Sequence, residues 1–310
     1  MPALRPAPPT AVRVVAGSVT FLLFVSNTLF WCALLYVVTL LKLLVPLAPW
    51  RRAASRVLVA IGESWIAVNT FFLRLTQPTR HDVRGLEGLR RDVSYLVVSN
   101  HQSWVDIPVL QGVFLRRIPF LRFFLKQQLI RVPVLGLAWW ALDFPFMKRH
   151  SREALERNPE LRHEDLAATR RACERFRHAP ASILNFVEGT RFTPAKHARS
   201  GSPFRHLLPP KAGGLAFAAS AMGPQLAGIV DVTIVYPHGS PTFWDLISLG
   251  LPEVVVRVQE RPVPTEWFTG DYAEDPAFRE GVQAFVRELF REKDAAIEAL
   301  LAASGQPEGA

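Results

Sequence analysis

Two short segments hold the side chains best suited to chemistry. The first is Asn100-His101-Gln102-Ser103-Trp104-Val105-Asp106, which directly follows the apolar run Ser94–Ser99. Within one ideal helix, positions five apart differ by about 140° around the axis, so His101 and Asp106 would not share a face. They meet if His101 stands at a strand end and Asp106 in the first turn of the next helix, with Ser103 as a good N-cap. An imidazole held by a carboxylate is the arrangement of a general base. The competing reading is purely structural: Ser103-x-x-Asp106 also fits a capping box, in which Asp106 only accepts a backbone N–H. No G-x-S-x-G is present, and Cys173 falls inside an apolar-periodic segment. If His101 is a base, the nucleophile is therefore a hydroxyl of the substrate.

The second segment is Phe186-Val187-Glu188-Gly189-Thr190-Arg191-Phe192, again just after an apolar run. Gly189 permits a tight turn and close approach of a ligand. Arg191 offers a planar fork suited to phosphate and Thr190 a hydroxyl. Glu188 is expected to hold Arg191; a plain surface turn with a local ion pair is the alternative. Lys126, Lys148-Arg149 and Lys211 could each meet an anionic substrate, or be solvated surface charges. Trp139, Trp140, Phe144 and Phe146 could line a groove for a fatty chain, or be ordinary core.

These segments need elements to hold them. Short Val/Ile-rich runs predict strands at Asp82–Arg84, Ser94–Ser99, Ser182–Phe186, Gly228–Tyr236 and Glu253–Gln259. Helical patterns lie between them, including Glu164–Phe176. The expected fold is α/β: a mixed, mostly parallel sheet flanked by helices and preceded by N-terminal membrane helices. Asp275 caps and Pro276 opens a final helix with the stripe Phe278, Val282, Phe285, Val286, Leu289 and Ile297.

Upstream, Val14 to Leu41 is 28 residues without a charge. As a helix it would exceed the ~30 Å hydrocarbon core, as one tilted span or as a hairpin broken near Ser26-Asn27. Val57–Leu75 carries Glu63 and Arg74 among Leu58, Ile61, Trp65, Val68 and Phe72 at helical spacing. It reads as an interfacial amphipathic helix, or as a core helix of the next domain. Lys42, Arg51, Arg52 and Arg56 outnumber Arg5 and Arg13 before the apolar run, which puts the bulk of the chain in the cytoplasm. The division expected is a membrane-anchoring segment 1–75, a catalytic domain 76–262 and a C-terminal helix with its tail 263–310.

Composition agrees. Of 310 residues, 49% are hydrophobic and 20% charged, which excludes a disordered chain, and the net charge is +9. A greasy, basic chain suits an anionic membrane surface better than nucleic acid. Cys32 and Cys173 have no C-x-x-C or Cys/His spacing, so neither a zinc site nor a disulfide framework is expected.

Taken together, the segments resemble the glycerolipid acyltransferase family typified by 1-acyl-glycerol-3-phosphate acyltransferase. The family's N-H-x4-D block is Asn100-His101 through Asp106. A second block ends in an Arg, here Phe146-Met147-Lys148-Arg149. The third, F-P-E-G-T-R, is Phe186 to Arg191, and the fourth is the strand Val232–Pro237. Order and spacing agree over about residues 80–240. Val187 replaces the usual Pro and Lys148 the common Asp; with Asn185 and Phe192-Thr193 they look like the lysocardiolipin acyltransferase-like branch.

The resemblance implies acyl transfer from a thioester to the hydroxyl of a lysophospholipid, most simply 1-acyl-glycerol-3-phosphate. His101 would act as base and Asp106 would orient it. Glu188, Gly189, Thr190 and Arg191 would bind the phosphate region, with Arg149 assisting. It implies no metal and no bound cofactor; acyl-CoA or an acyl-carrier protein is a substrate. The place implied is the inner (cytoplasmic) membrane. Other acceptors (lysocardiolipin, lysophosphatidylglycerol) and a non-catalytic lipid-binding protein stand as alternatives.

Overall fold

The computed structural model describes residues 8–147, 176 and 180–304. Two long helices open it, α1 (Thr10–Leu44) and α2 (Ala48–Thr76). Then come β1 (Arg80–Arg84), β2 (Ser94–Ser99), α3 (Asp106–Phe114), β3 (Leu121–Phe123), β4 (Leu125–Lys126), α4 (Leu135–Ala141) and β5 (Phe146–Met147). After the segment outside the described residues follow β6 (Ser182–Phe186), α5 (Pro194–Ser200), α6 (Gly213–Met222), β7 (Leu226–Val235), α7 (Phe243–Ile247), β8 (Glu253–Arg261) and α8 (Pro276–Ala303). The expected helix Glu164–Phe176 lies outside the described residues except for Phe176, which is buried.

Six strands form one sheet in the order β1-β8-β7-β2-β6-β3. All neighbours are parallel except β7 and β8. The sheet is thus mixed and mostly parallel, with helices on both faces. Period-two alternation fills both sides. Tyr95, Val97, Val230, Val232 and Ile234 point into a core shared with α1, α2 and α3. Leu96, Val98, Ile229 and Val235 point into the opposite core, under α6 and α8. Asp275 caps α8 by accepting from the Ala277 and Phe278 N–H groups, with Pro276 in its first turn.

α1 runs unbroken through Ser26-Asn27, without a hairpin there. Asn27 instead crosses to α2, donating to Trp65 O at 3.1 Å and Asn69 Oδ1 at 2.9 Å. The burial of α1 is inverted relative to a water-soluble helix. Gly17, Thr20, Asn27 and Thr39 are buried, while Val15, Leu22, Phe30, Val37 and Leu44 are exposed. Small and polar residues inside with large apolar residues outside is the pattern of a helix facing lipid. Both α1 and α2 are long and apolar enough to cross a membrane.

α2 begins nine residues earlier than its apolar spacing suggested, so Arg51, Arg52 and Arg56 lie on its first turns and are exposed. Its Leu58, Ile61 and Ile66 join the domain core. The α/β domain also grips α1. Arg13 pairs with Asp245 at 2.8 Å, the Trp244 ring packs against Gly17, and the Tyr36 hydroxyl donates to Val134 O.

Candidate active site

The carboxyl ends of three adjacent parallel strands, β6, β2 and β7, converge on one spot. This is where open α/β sheets place their ligands. His101 stands two residues past β2, Glu188 two past β6 and Tyr236 one past β7.

Asp106 is the first residue of α3 and fully buried. Its Oδ2 accepts from the Gln102 and Ser103 N–H groups at 2.7 and 2.9 Å and meets His101 Nδ1 at 2.8 Å. Its Oδ1 accepts the Tyr236 hydroxyl at 2.7 Å. One carboxylate therefore holds both the imidazole and the turn ahead of α3, whose N-cap is Val105 and not the expected Ser103. Facing a carboxylate, Nδ1 is the donor, and in the neutral ring Nε2 then carries the lone pair. The ring is fixed flat against Phe186, centroids 3.9 Å apart and planes 16° off parallel. Burial and the adjacent Asp106 raise the Tyr236 hydroxyl well above its ordinary pKa, so it remains a donor.

The second segment departs from expectation at Glu188. It does not hold Arg191. Its Oε1 accepts the His101 N–H at 2.7 Å and its Oε2 the Leu208 N–H at 2.8 Å. Gly189, at φ +72°, turns the chain so that Glu188 is directed inward while Thr190 is exposed. Arg191 instead lies over the Trp104 ring, 4.6 Å from its centroid. The Lys211 stem lies beside Gly189, and the Lys211 N–H donates to Val187 O. Thr190 Oγ1 accepts from Lys196 Nζ at 2.7 Å.

His101, Lys126, Gly189, Thr190 and Arg191 share the wall of one cavity of about 1110 Å³. It is lined mainly by apolar side chains and runs between α1, α2 and the turn before α4: Phe24, Leu29, Trp65, Leu129 and Val134 all face it. Its volume is just above the usual range for small-molecule sites, about 300–1,000 Å³. Of the four aromatics suggested for a groove, Trp139 lines it. Phe144 is core, edge-on to Phe120 and Phe123; Trp140 is exposed. Arg149 lies outside the described residues.

Sequence reasoning missed Tyr236, Lys196 and the Trp104 stack. Tyr236 had a signal, a polar aromatic closing an apolar strand before Pro237; Trp104 had none. Among the described residues, no three His, Cys, Asp or Glu side chains cluster as metal ligands.

Comparison with known proteins follows the same outline. The probable 1-acyl-sn-glycerol-3-phosphate acyltransferase 5 of Arabidopsis thaliana is 24% identical over 299 residues, 91% of this chain and 72% of that one. Lysocardiolipin acyltransferase 1 of Danio rerio is 26% identical over 249 residues, 76% of this chain and 59% of that one. The chain thus spans less than two thirds of the second relative's length. In fold it is similar to the crystal structure of the 1-acyl-sn-glycerophosphate acyltransferase PlsC from Thermotoga maritima. The TM-score is 0.52 at 20% identity, over 89% of this chain and 97% of that one. The acyltransferase family model matches residues 80–237, from β1 through the loop after β7, and so takes in both His101 and Arg191. That match covers half of the chain, and the chain belongs to the acyltransferase family.

Proposed function

We propose that the chain moves a fatty acyl group from a thioester to the free hydroxyl of a lysophospholipid, most simply 1-acyl-glycerol-3-phosphate, giving phosphatidate. One observation carries this reading: the His101–Asp106 pair opens into the same apolar cavity as Arg191. Base, anion site and room for an acyl chain meet within one wall.

His101 Nε2 takes the acceptor's hydroxyl proton as that oxygen attacks the thioester carbonyl. Asp106 and Tyr236 stabilise the imidazolium that forms. The tetrahedral intermediate collapses by breaking the C–S bond, and the imidazolium returns the proton to the leaving thiolate. The products are an ester and a free thiol. Gly189, Thr190 and Arg191 receive the acceptor's phosphate, with Lys211 and Lys126 as nearby cations and Arg149 assisting. Glu188 serves them indirectly, by bracing His101 and the loop. The reaction needs neither metal nor bound cofactor, and acyl-CoA or an acyl-carrier protein is the donor.

The contacts at Gly17 and Tyr36 are separated by about 28 Å along α1. The helix pair therefore beds into the bilayer beside the domain instead of lifting it away. The exposed Arg51, Arg52 and Arg56 favour anionic lipid on the cytoplasmic side, which supports the inner (cytoplasmic) membrane with the catalytic domain facing the cytoplasm.

A second acceptor, lysocardiolipin or lysophosphatidylglycerol, is favoured by Phe192-Thr193 after the third block and by the lysocardiolipin acyltransferase relative. The test is acyl transfer by the full chain in detergent, with a long-chain thioester and a panel of lysophospholipids. Replacing His101 with Ala should lower turnover by about 10²–10⁴. Unimpaired transfer by that variant would overturn the mechanism, and the preferred lysolipid identifies the acceptor.

A further inference from the structure

We propose that Lys196 is a positioning residue for the acceptor's phosphate, and that it biases the site toward a phosphomonoester over a phosphodiester headgroup. This rests on the acyltransferase reading above.

Thr193 is the N-cap of α5 and Pro194 its first residue, which puts Lys196 at the third helical position. Side chains on a helix lean toward its N-terminus, so Lys196 reaches back over the preceding loop. Its Nζ donates to Thr190 Oγ1 at 2.7 Å and to Arg191 O at 2.9 Å. Two consequences follow. A hydroxyl has one proton and accepts on its lone pairs. With one lone pair held by an ammonium, the Thr190 proton is free for a substrate oxygen and is a stronger donor. The Arg191 backbone is clamped as well, which fixes where its guanidinium rests on Trp104.

The charge balance points the same way. Lys196, Arg191 and Lys211 surround Gly189 and Thr190, and among the described residues no carboxylate forms an ion pair with any of them. The nearest acid in sequence, Glu188, is buried and spent on the His101 and Leu208 N–H groups. A monoester phosphate carries a charge of about −1.5 to −2 at neutral pH, so it gains more from a third cation than a singly charged diester does.

The experiment compares wild type, Lys196→Met and Lys196→Arg as full chains in detergent, with lysophosphatidate and lysophosphatidylglycerol as acceptors. For lysophosphatidate, Lys196→Met should raise KM about tenfold and leave kcat within about threefold, the loss of one charge-assisted interaction. Lys196→Arg should return KM to within about threefold of wild type, since it keeps the charge. For lysophosphatidylglycerol the Met variant should raise KM less than about threefold. Equal rises for both acceptors would overturn the proposal in favour of a loop clamp blind to the headgroup. An unchanged KM for lysophosphatidate would overturn it outright while leaving the acyltransferase reading standing. A wild-type chain inert toward every lysolipid would overturn that reading, and this one with it. Should Lys196→Met fail to fold, Lys196→Gln takes its place, and an unchanged lysophosphatidate KM there is equally fatal.

Discussion

Glu188 and His101 are 87 positions apart, yet the Glu188 carboxylate accepts the backbone N–H of His101 at 2.7 Å. Its other oxygen takes the Leu208 N–H. One side chain thus joins the end of β2, the end of β6 and the loop leading to α6. The contact fixes the backbone from which the His101 ring projects, while Asp106 fixes the ring itself.

Burial pushes the Glu188 carboxyl up to about 7, against the partial help of those two N–H groups. Between about pH 4.5 and 7 the folded protein holds a proton there that the unfolded chain has released. Stability therefore falls as pH rises through that window, by at most roughly 3 kcal/mol, and is flat in this respect above it. Glu188→Gln cannot titrate. It loses an acceptor for one N–H, costing about 1 kcal/mol at pH 5, but it escapes the decline. Thermal unfolding from pH 5 to 8 should show the wild-type curve starting above that of the variant, crossing it and ending below it. Parallel curves would mean that Glu188 is ionised throughout.

Trp104 is 55% exposed, and the Arg191 guanidinium lies over its ring. Cation–π pairs at exposed sites contribute about 0.5–1 kcal/mol. Trp104→Ala should therefore raise the acceptor KM by about two- to fivefold, with kcat little changed. A collapse of kcat instead would place Trp104 at the reacting atoms.

The central strands were legible because their apolar runs are short, β-branched and bounded by polar residues; β2 and β6 fall where Ser94–Ser99 and Ser182–Phe186 were read. β3, β4 and β5, of three, two and two residues, carry no period to detect. His101 and Asp106 were legible from strand and helix order, although the N-cap of α3 is Val105 and not the expected Ser103. Glu188 was misread because proximity in sequence suggested Arg191, whereas the turn at Gly189 separates them. Lys293 was invisible for a similar reason. It interrupts the stripe of α8 as a polar residue, yet it is fully buried, bonded to Asp231 and to Val232 O on β7. A buried lysine is recognised by its partners, and those lie about 60 positions away.

Tyr236 offers the cleanest separation of orientation from binding. Its hydroxyl completes Asp106 by occupying Oδ1, the oxygen turned away from His101. Tyr236→Phe keeps the ring and removes one hydrogen bond, leaving a buried carboxylate oxygen short of a donor, at about 1–3 kcal/mol. Both groups are buried and neither lines the cavity, so kcat should fall by about tenfold or more with KM unchanged. A raised KM at constant kcat would show that Tyr236 contacts a substrate.

Leu29 of α1 lies on the cavity wall, so this long apolar helix also lines the chamber proposed for the acyl chain. Filling the space beside it should penalise long acyl chains selectively. Each methylene withdrawn from water contributes about 0.8 kcal/mol, close to a fourfold factor in affinity. Leu29→Trp should therefore depress kcat/KM for long-chain substrates by an order of magnitude or more while sparing short ones, and an acyl-length series measures that ratio. His101 and Asp106 are untouched by the change, so the shortest chain should react at nearly the wild-type rate. A uniform loss across the series would mean that the acyl chain lies elsewhere.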